Sequence, residues 1–166
     1  MIRYVAFIGL MLAACAPEAK PPEQAAAPAV EPAPQPAVAP LAADEIPAPA
    51  GEITMTSPVS AAKVTSPLAV EGVVANSWMF EGVFPVELAI DGEVISQAPA
   101  QQQALDNWTN PGPVRFKAVL TFDVAEEKNA VLILKEDSPK PASPDSDVPG
   151  PARTLRIPVV LVPAAK

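Results

Sequence analysis

The chain contains no histidine, and among its 166 residues Cys15 is the sole cysteine. The first absence removes Ser-His-Asp triads, Cys-His dyads, the common zinc ligand sets and haem held by histidine. The second rules out an intramolecular disulfide, so an extracellular domain in this chain has to rest on its hydrophobic core. Aromatic residues make up only 5%, which leaves Val, Leu, Ile and Ala to build that core. Positive charge is also short: 11 Lys and Arg stand against 19 Asp and Glu, and none cluster. A net charge of −8 without a basic patch argues against nucleic acid as a partner. No motif implies a cofactor.

What is present falls into three segments. Residues 1–14 read as a signal peptide: Arg3 supplies a positive start, and the apolar run from Tyr4 to Leu12 is too short to span a bilayer, which takes ~20 residues. Leu12-Ala13-Ala14-Cys15 resembles the lipobox of bacterial lipoproteins. That resemblance implies lipidation of the Cys15 sulfur and cleavage that makes Cys15 the first mature residue. Ala14-Cys15-Ala16 also fits an ordinary cleavage site, but cutting there would place Pro17 just after the scissile bond, a poor substrate geometry. Each buried CH₂ contributes ~0.8 kcal/mol, so two or three acyl chains would hold the protein on a membrane effectively permanently. Ala16 stands where an Asp favours inner-membrane retention in Gram-negative lipoproteins, which leans toward the outer membrane.

Residues 15–50 read as the lipidated cysteine followed by a Pro/Ala-rich tether, with proline recurring from Pro17 to Pro49. Proline blocks helix and sheet, and the segment has little to bury. The expectation is an extended, polyproline-type spacer whose reach approaches ~100 Å at ~3.1 Å per residue.

Residues 51–163 read as one all-β domain. Apolar residues alternate over 52–55, 68–74, 84–91, 93–98, 114–122 and 153–162, and 130–135 is a continuous apolar run. The clearest case places Val114, Phe116, Ala118, Leu120 and Phe122 on one face. Asp91-Gly92 marks a two-residue hairpin turn. Pro158 suggests an edge or a bulge. Seven to eight strands in this length point to an antiparallel β-sandwich of immunoglobulin-like type, with a small barrel as the alternative.

Four stretches then carry a resemblance: Ile53 to Pro58, Ser66 to Gly72, the run Asn76-Ser77-Trp78-Met79-Phe80-Glu81-Gly82-Val83-Phe84-Pro85-Val86, and the tail from Leu132 to Pro158. Together they resemble the second type of immunoglobulin-like domain found beside GerMN domains in bacterial spore germination proteins. No GerMN domain accompanies it in this sequence. The resemblance therefore implies a fold and an envelope or extracellular setting, and no reaction.

Candidate sites follow from residue chemistry. Trp78, Phe80, Glu81, Phe84 and Trp108 would suit a sugar or peptide if the rings faced solvent. The scarcity of aromatics favours burial of Trp78, Phe80 and Phe84 instead. Glu136, Asp137, Asp145 and Asp147 supply oxygen ligands of the kind that hold Ca²⁺, but their spacing fits no EF-hand, and a solvated loop is the expectation. The expected function is that of a non-enzymatic, membrane-anchored cell-envelope lipoprotein. Its domain, facing the periplasm or exterior, would bind an envelope protein or a cell-wall component. The alternatives are a structural accessory domain without a ligand and a carbohydrate-binding or carbohydrate-processing module.

Overall fold

Alternation of apolar and polar residues becomes alternation of buried and exposed ones in the computed structural model, which describes residues 40–137 and 139–164. Its strands are β1 (Glu45–Pro47), β2 (Ile53–Ser57), β3 (Lys63–Val64), β4 (Leu68–Ala75), β5 (Val83–Ile90), β6 (Glu93–Gln102), β7 (Pro113–Leu120), β8 (Lys128–Lys135) and β9 (Ala152–Leu161). A single 3₁₀ turn, Asn76–Trp78, leads from β4 toward β5. In β7, Val114, Phe116, Ala118 and Leu120 are buried while the residues between them are exposed. Among the described residues no helix is long and apolar enough to cross a membrane.

Strands β2, β4 and β7 pair antiparallel in that order and form one layer. Strands β9, β8, β5 and β6 form the other. The two layers join where the end of β6 pairs with β7 at Gln101↔Lys117 and Gln102↔Phe116. After β2 the chain crosses between layers, and β3 runs parallel to β9. The pairing is thus mixed rather than purely antiparallel, within the expected sandwich.

Both layers contribute to one core. Val70, Val74, Phe116 and Leu120 from one side meet Val86, Leu88, Leu132, Leu134, Val159 and Leu161 from the other. Trp78, Phe84 and Phe116 run through it edge to face, with centroids 6.2 Å and 4.9 Å apart. Gly72 is needed at one point of closest approach. A Cβ there would lie 2.4 Å from the Thr54 carbonyl oxygen and 2.9 Å from the Phe116 ring. Gly72→Ala is expected to destabilise the domain by roughly 1–3 kcal/mol, read as a lower urea midpoint.

Some boundaries differ from the sequence reading. The folded chain begins before Gly51, because β1 pairs parallel with the start of β9 through Glu45↔Ala152, Ile46↔Arg153 and Pro47↔Thr154. Strand β6 runs past Ala98 to Gln102, carrying Pro99 directly opposite Pro85. Strand β9 accepts Pro158 between its β1-paired and β3-paired stretches, and the Pro158 carbonyl there takes the Ala61 amide. The expected signal peptide, Cys15 and the tether up to residue 39 lie outside the described residues.

Candidate functional site

The segment between β4 and β5 sorts the aromatic candidates by burial. Trp78 is fully buried and Phe84 nearly so, which removes both as ligand-facing residues. Trp78 donates its indole N–H to Glu52 Oε2 at 3.0 Å, and the Arg153 guanidinium lies 5.6 Å from its ring centre. Phe80 remains 52% exposed. The expectation that all three rings would bury therefore holds for two and fails for Phe80.

Local geometry explains why Phe80 is out. Phe80 and Val83 exchange backbone hydrogen bonds of 3.0 and 3.1 Å across a two-residue turn made by Glu81 (φ 52°) and Gly82 (φ 78°). Two successive positive φ values describe a type I′ turn, in which glycine carries no steric cost. Gly82 is also wedged: a Cβ there would sit 3.1 Å from Gln102 and 3.2 Å from the Trp108 ring. The turn is pinned to β6 by the Gln102 amide, which donates to the Gly82 carbonyl at 2.9 Å. Glu81 stands exposed at the turn corner.

Trp108 joins this turn from the β6–β7 loop. Its ring is half-buried and lies 6.4 Å from Phe80 at an interplanar angle of 60°. The Trp108 amide donates to Gln102 Oε1 at 3.0 Å, and Asn76 Nδ2 donates to the Trp108 carbonyl at 3.2 Å. The base of the loop is held by Asp106, which accepts from the Arg115 amide at 2.6 Å and pairs with the guanidinium at 2.9 Å. Those Arg115 donors hold the Asp106 carboxyl below its ordinary range. The result is an aromatic ledge of Phe80 over Trp108 on a braced frame, a surface suited to stacking against a sugar face or an apolar side chain.

The acidic candidates do not converge. Glu136 is buried and paired with Arg153, whose Nη2 lies 2.5 Å from Oε1 and whose Nε donates to Oε2 at 2.8 Å. Asp137, Asp145 and Asp147 are exposed. Among the described residues no group of three or more Cys, Asp or Glu side chains is placed to hold a metal ion. Arg153 also binds Glu52 and the Ser77 carbonyl and hydroxyl. Glu52 and Glu136 thus share one guanidinium.

A second ion cluster lies where β1 meets the sheet. The Glu45 carboxylate receives Arg156 at 2.6 Å, Lys135 at 2.9 Å and the Ala42 amide at 3.2 Å. Burial opposes its ionisation, but the hydrogen bonds from Arg156, Lys135 and Ala42 outweigh that and lower its pKa from 4.5 to about 2. A carboxylate depressed on folding contributes stability above its unfolded pKa and loses it as pH falls through the folded value. Between pH 5 and pH 2 the domain is therefore expected to lose at most about 3 kcal/mol from this group, less whatever water screens at the sheet edge. Urea titrations of Glu45→Gln across that range should show a flatter pH dependence than the wild type.

Sequence reasoning missed Arg153, Glu52 and Glu45 as organisers. The available signal was a charged residue at a position where the strand alternation pointed inward or where a Pro/Ala run was otherwise neutral.

The family model described as the immunoglobulin-like domain of bacterial spore germination (Gmad2) matches residues 52–143. The chain belongs to this family. The matched span contains the Trp78–Phe84 turn, Trp108 and the acidic residues Glu136 and Asp137, while β9 completes the sandwich beyond it. No curated protein and no solved structure matches the chain significantly.

Proposed function

We propose that the chain is a lipid-anchored protein of the bacterial cell envelope whose immunoglobulin-like domain is a non-enzymatic interaction module. Its recognition surface is the ledge of Phe80 and Trp108. One observation carries the reading: in a domain with few aromatics, Phe80 is held half-exposed against Trp108 by a rigid turn while Trp78 and Phe84 fill the core. An exposed aromatic on a braced turn offers contact area with little conformational freedom left to lose. The lipobox at Cys15 and the Pro/Ala-rich segment support attachment at a distance from a membrane.

The test is cross-linking in intact envelopes with wild type, Cys15→Ser and Phe80→Ala. Wild type is expected in the membrane fraction, captured with a specific envelope protein or with peptidoglycan. Cys15→Ser is expected in the soluble fraction, and Phe80→Ala in the membrane without its partner. Capture undiminished by Phe80→Ala overturns the ledge as the recognition surface. A Cys15→Ser chain that still sediments with membranes overturns the anchor.

A further inference from the structure

Most polar groups around the Phe80–Trp108 ledge are already committed to bracing it. Gln102 Oε1 takes the Trp108 amide, and Asn76 Nδ2 holds the Trp108 carbonyl. Asn107 Oδ1 takes the Thr109 amide at 3.0 Å and the Thr109 hydroxyl at 2.7 Å, and Asp106 is held by Arg115. Two groups are left. Among the described residues the hydrogen bonds of Trp108 are made by its backbone, so its indole N–H has no partner. Glu81, exposed beside Phe80, takes part in none of the ion pairs among the described residues. Both free groups lie at one turn. The indole Cδ1, bonded to that nitrogen, would lie 3.2 Å from a Cβ placed on Gly82, the residue after Glu81.

The ledge therefore offers an apolar step, one N–H donor and one carboxylate. A sugar needs several directional partners for its hydroxyls and a flat face to stack on, whereas these two rings meet at 60°. A polyproline-type peptide needs what is present. Its three-residue turn gives a ridged profile, its carbonyls bond nothing within the helix and are free to accept from an indole, and its fixed φ leaves little freedom to lose. The free carboxylate, on a chain of net charge −8, selects a cation. We propose, resting on the reading of the ledge as the recognition surface, that its ligand is a proline-rich segment of a partner protein that carries a lysine or arginine. A proline packs on Phe80, a main-chain carbonyl accepts from the Trp108 indole N–H, and the cation pairs with Glu81. Residues three apart in such a segment share a face at a spacing of about 9 Å, enough to reach from the rings to the adjoining carboxylate.

The experiment follows the indole signals in ¹H–¹⁵N spectra of the full chain carrying Cys15→Ser. There are two, and the Trp78 indole, buried and bonded to Glu52, is the internal control. The probes are a synthetic peptide of alternating Pro-Pro-Ala and Lys-Pro-Pro units, the same peptide with each lysine replaced by glutamate, and an N-acetylglucosamine oligosaccharide. The lysine peptide is expected to shift the Trp108 indole and leave that of Trp78 in place. Glu81→Gln should weaken this binding about fivefold, as for an exposed ion pair. Trp108→Phe, which keeps a ring and loses the donor, should weaken it up to about tenfold, read from the amides of the turn. Glu81→Lys should reverse the preference in favour of the glutamate peptide. No shift with the lysine peptide, or equal binding of the two peptides, overturns the proposal. A Trp108 shift with the oligosaccharide alone overturns the ligand class and leaves the ledge standing. The ledge itself falls only on the envelope experiment, through capture undiminished by Phe80→Ala.

Discussion

Trp78→Ala is expected to lower the unfolding free energy by about 3–5 kcal/mol, a large share of the roughly 5–15 kcal/mol that holds a domain of this size. The ring is fully buried, packs edge-on to Phe84 at 6.2 Å, donates to Glu52 at 3.0 Å and lies under Arg153. Alanine leaves a cavity at the centre of the aromatic row and takes a donor from Glu52. Phe80→Ala, two residues away, removes a ring that is half in water and packed on one side only. It is expected to cost about 1 kcal/mol or less. Urea unfolding followed by far-ultraviolet circular dichroism separates the two; fluorescence is unsuited, since Trp78 is one of only two tryptophans. The contrast matters for function. A loss of partner capture in Phe80→Ala reports on recognition, whereas the same loss in Trp78→Ala would report on unfolding.

The long strands were legible in the sequence because their alternation is regular and their apolar residues are β-branched or large. Strand β7 reproduces the expected face residue for residue from Val114 to Leu120. The three-residue β1 and two-residue β3 were not legible, since neither is long enough to display a period. Pro47 within β1 pointed the other way, yet it sits at the end of an edge strand, where proline's missing N–H leaves no ladder bond broken. The family signature around Trp78 marks the segment that carries Phe80 but does not give the placement of each ring. Whether a ring lies in or out there depends on a type I′ turn at Glu81-Gly82 and on Trp108 arriving from a loop more than twenty residues further along. That contact is tertiary and leaves no local pattern. Among the acidic residues read as a solvated loop, Glu136 is buried for a related reason. Glu136 resembles Asp137, Asp145 and Asp147 in sequence, but its partner Arg153 comes from a strand on the far side of the intervening loop.

Arg153→Met is expected to be nearly as damaging as Trp78→Ala, through charge rather than volume. Its guanidinium serves Glu136, Glu52 and Ser77 and covers the Trp78 ring. Removing it strands the Glu136 side chain, only 4% exposed, without a counter-charge. Breaking one side of a buried pair costs about 3–5 kcal/mol, mostly from the charge left behind. Adding Glu136→Gln to Arg153→Met should therefore recover part of the loss, and a double-mutant cycle in urea measures how much of it is the pair. If Arg153→Met costs no more than a surface substitution, the cluster is solvated and does not brace the fold. The cluster also reaches the candidate ledge. Arg153 from β9 holds the Ser77 carbonyl, and the Asp137 amide at the end of β8 holds the Trp78 carbonyl at 3.1 Å. Two strands thereby fix the start of the turn that presents Phe80. In Glu136→Gln, where a neutral amide still fills the site, the fold should survive with a looser turn. Partner capture should then weaken by more than the small loss of stability accounts for, and weakening matched to stability alone would show that the cluster supports the fold without setting the ledge.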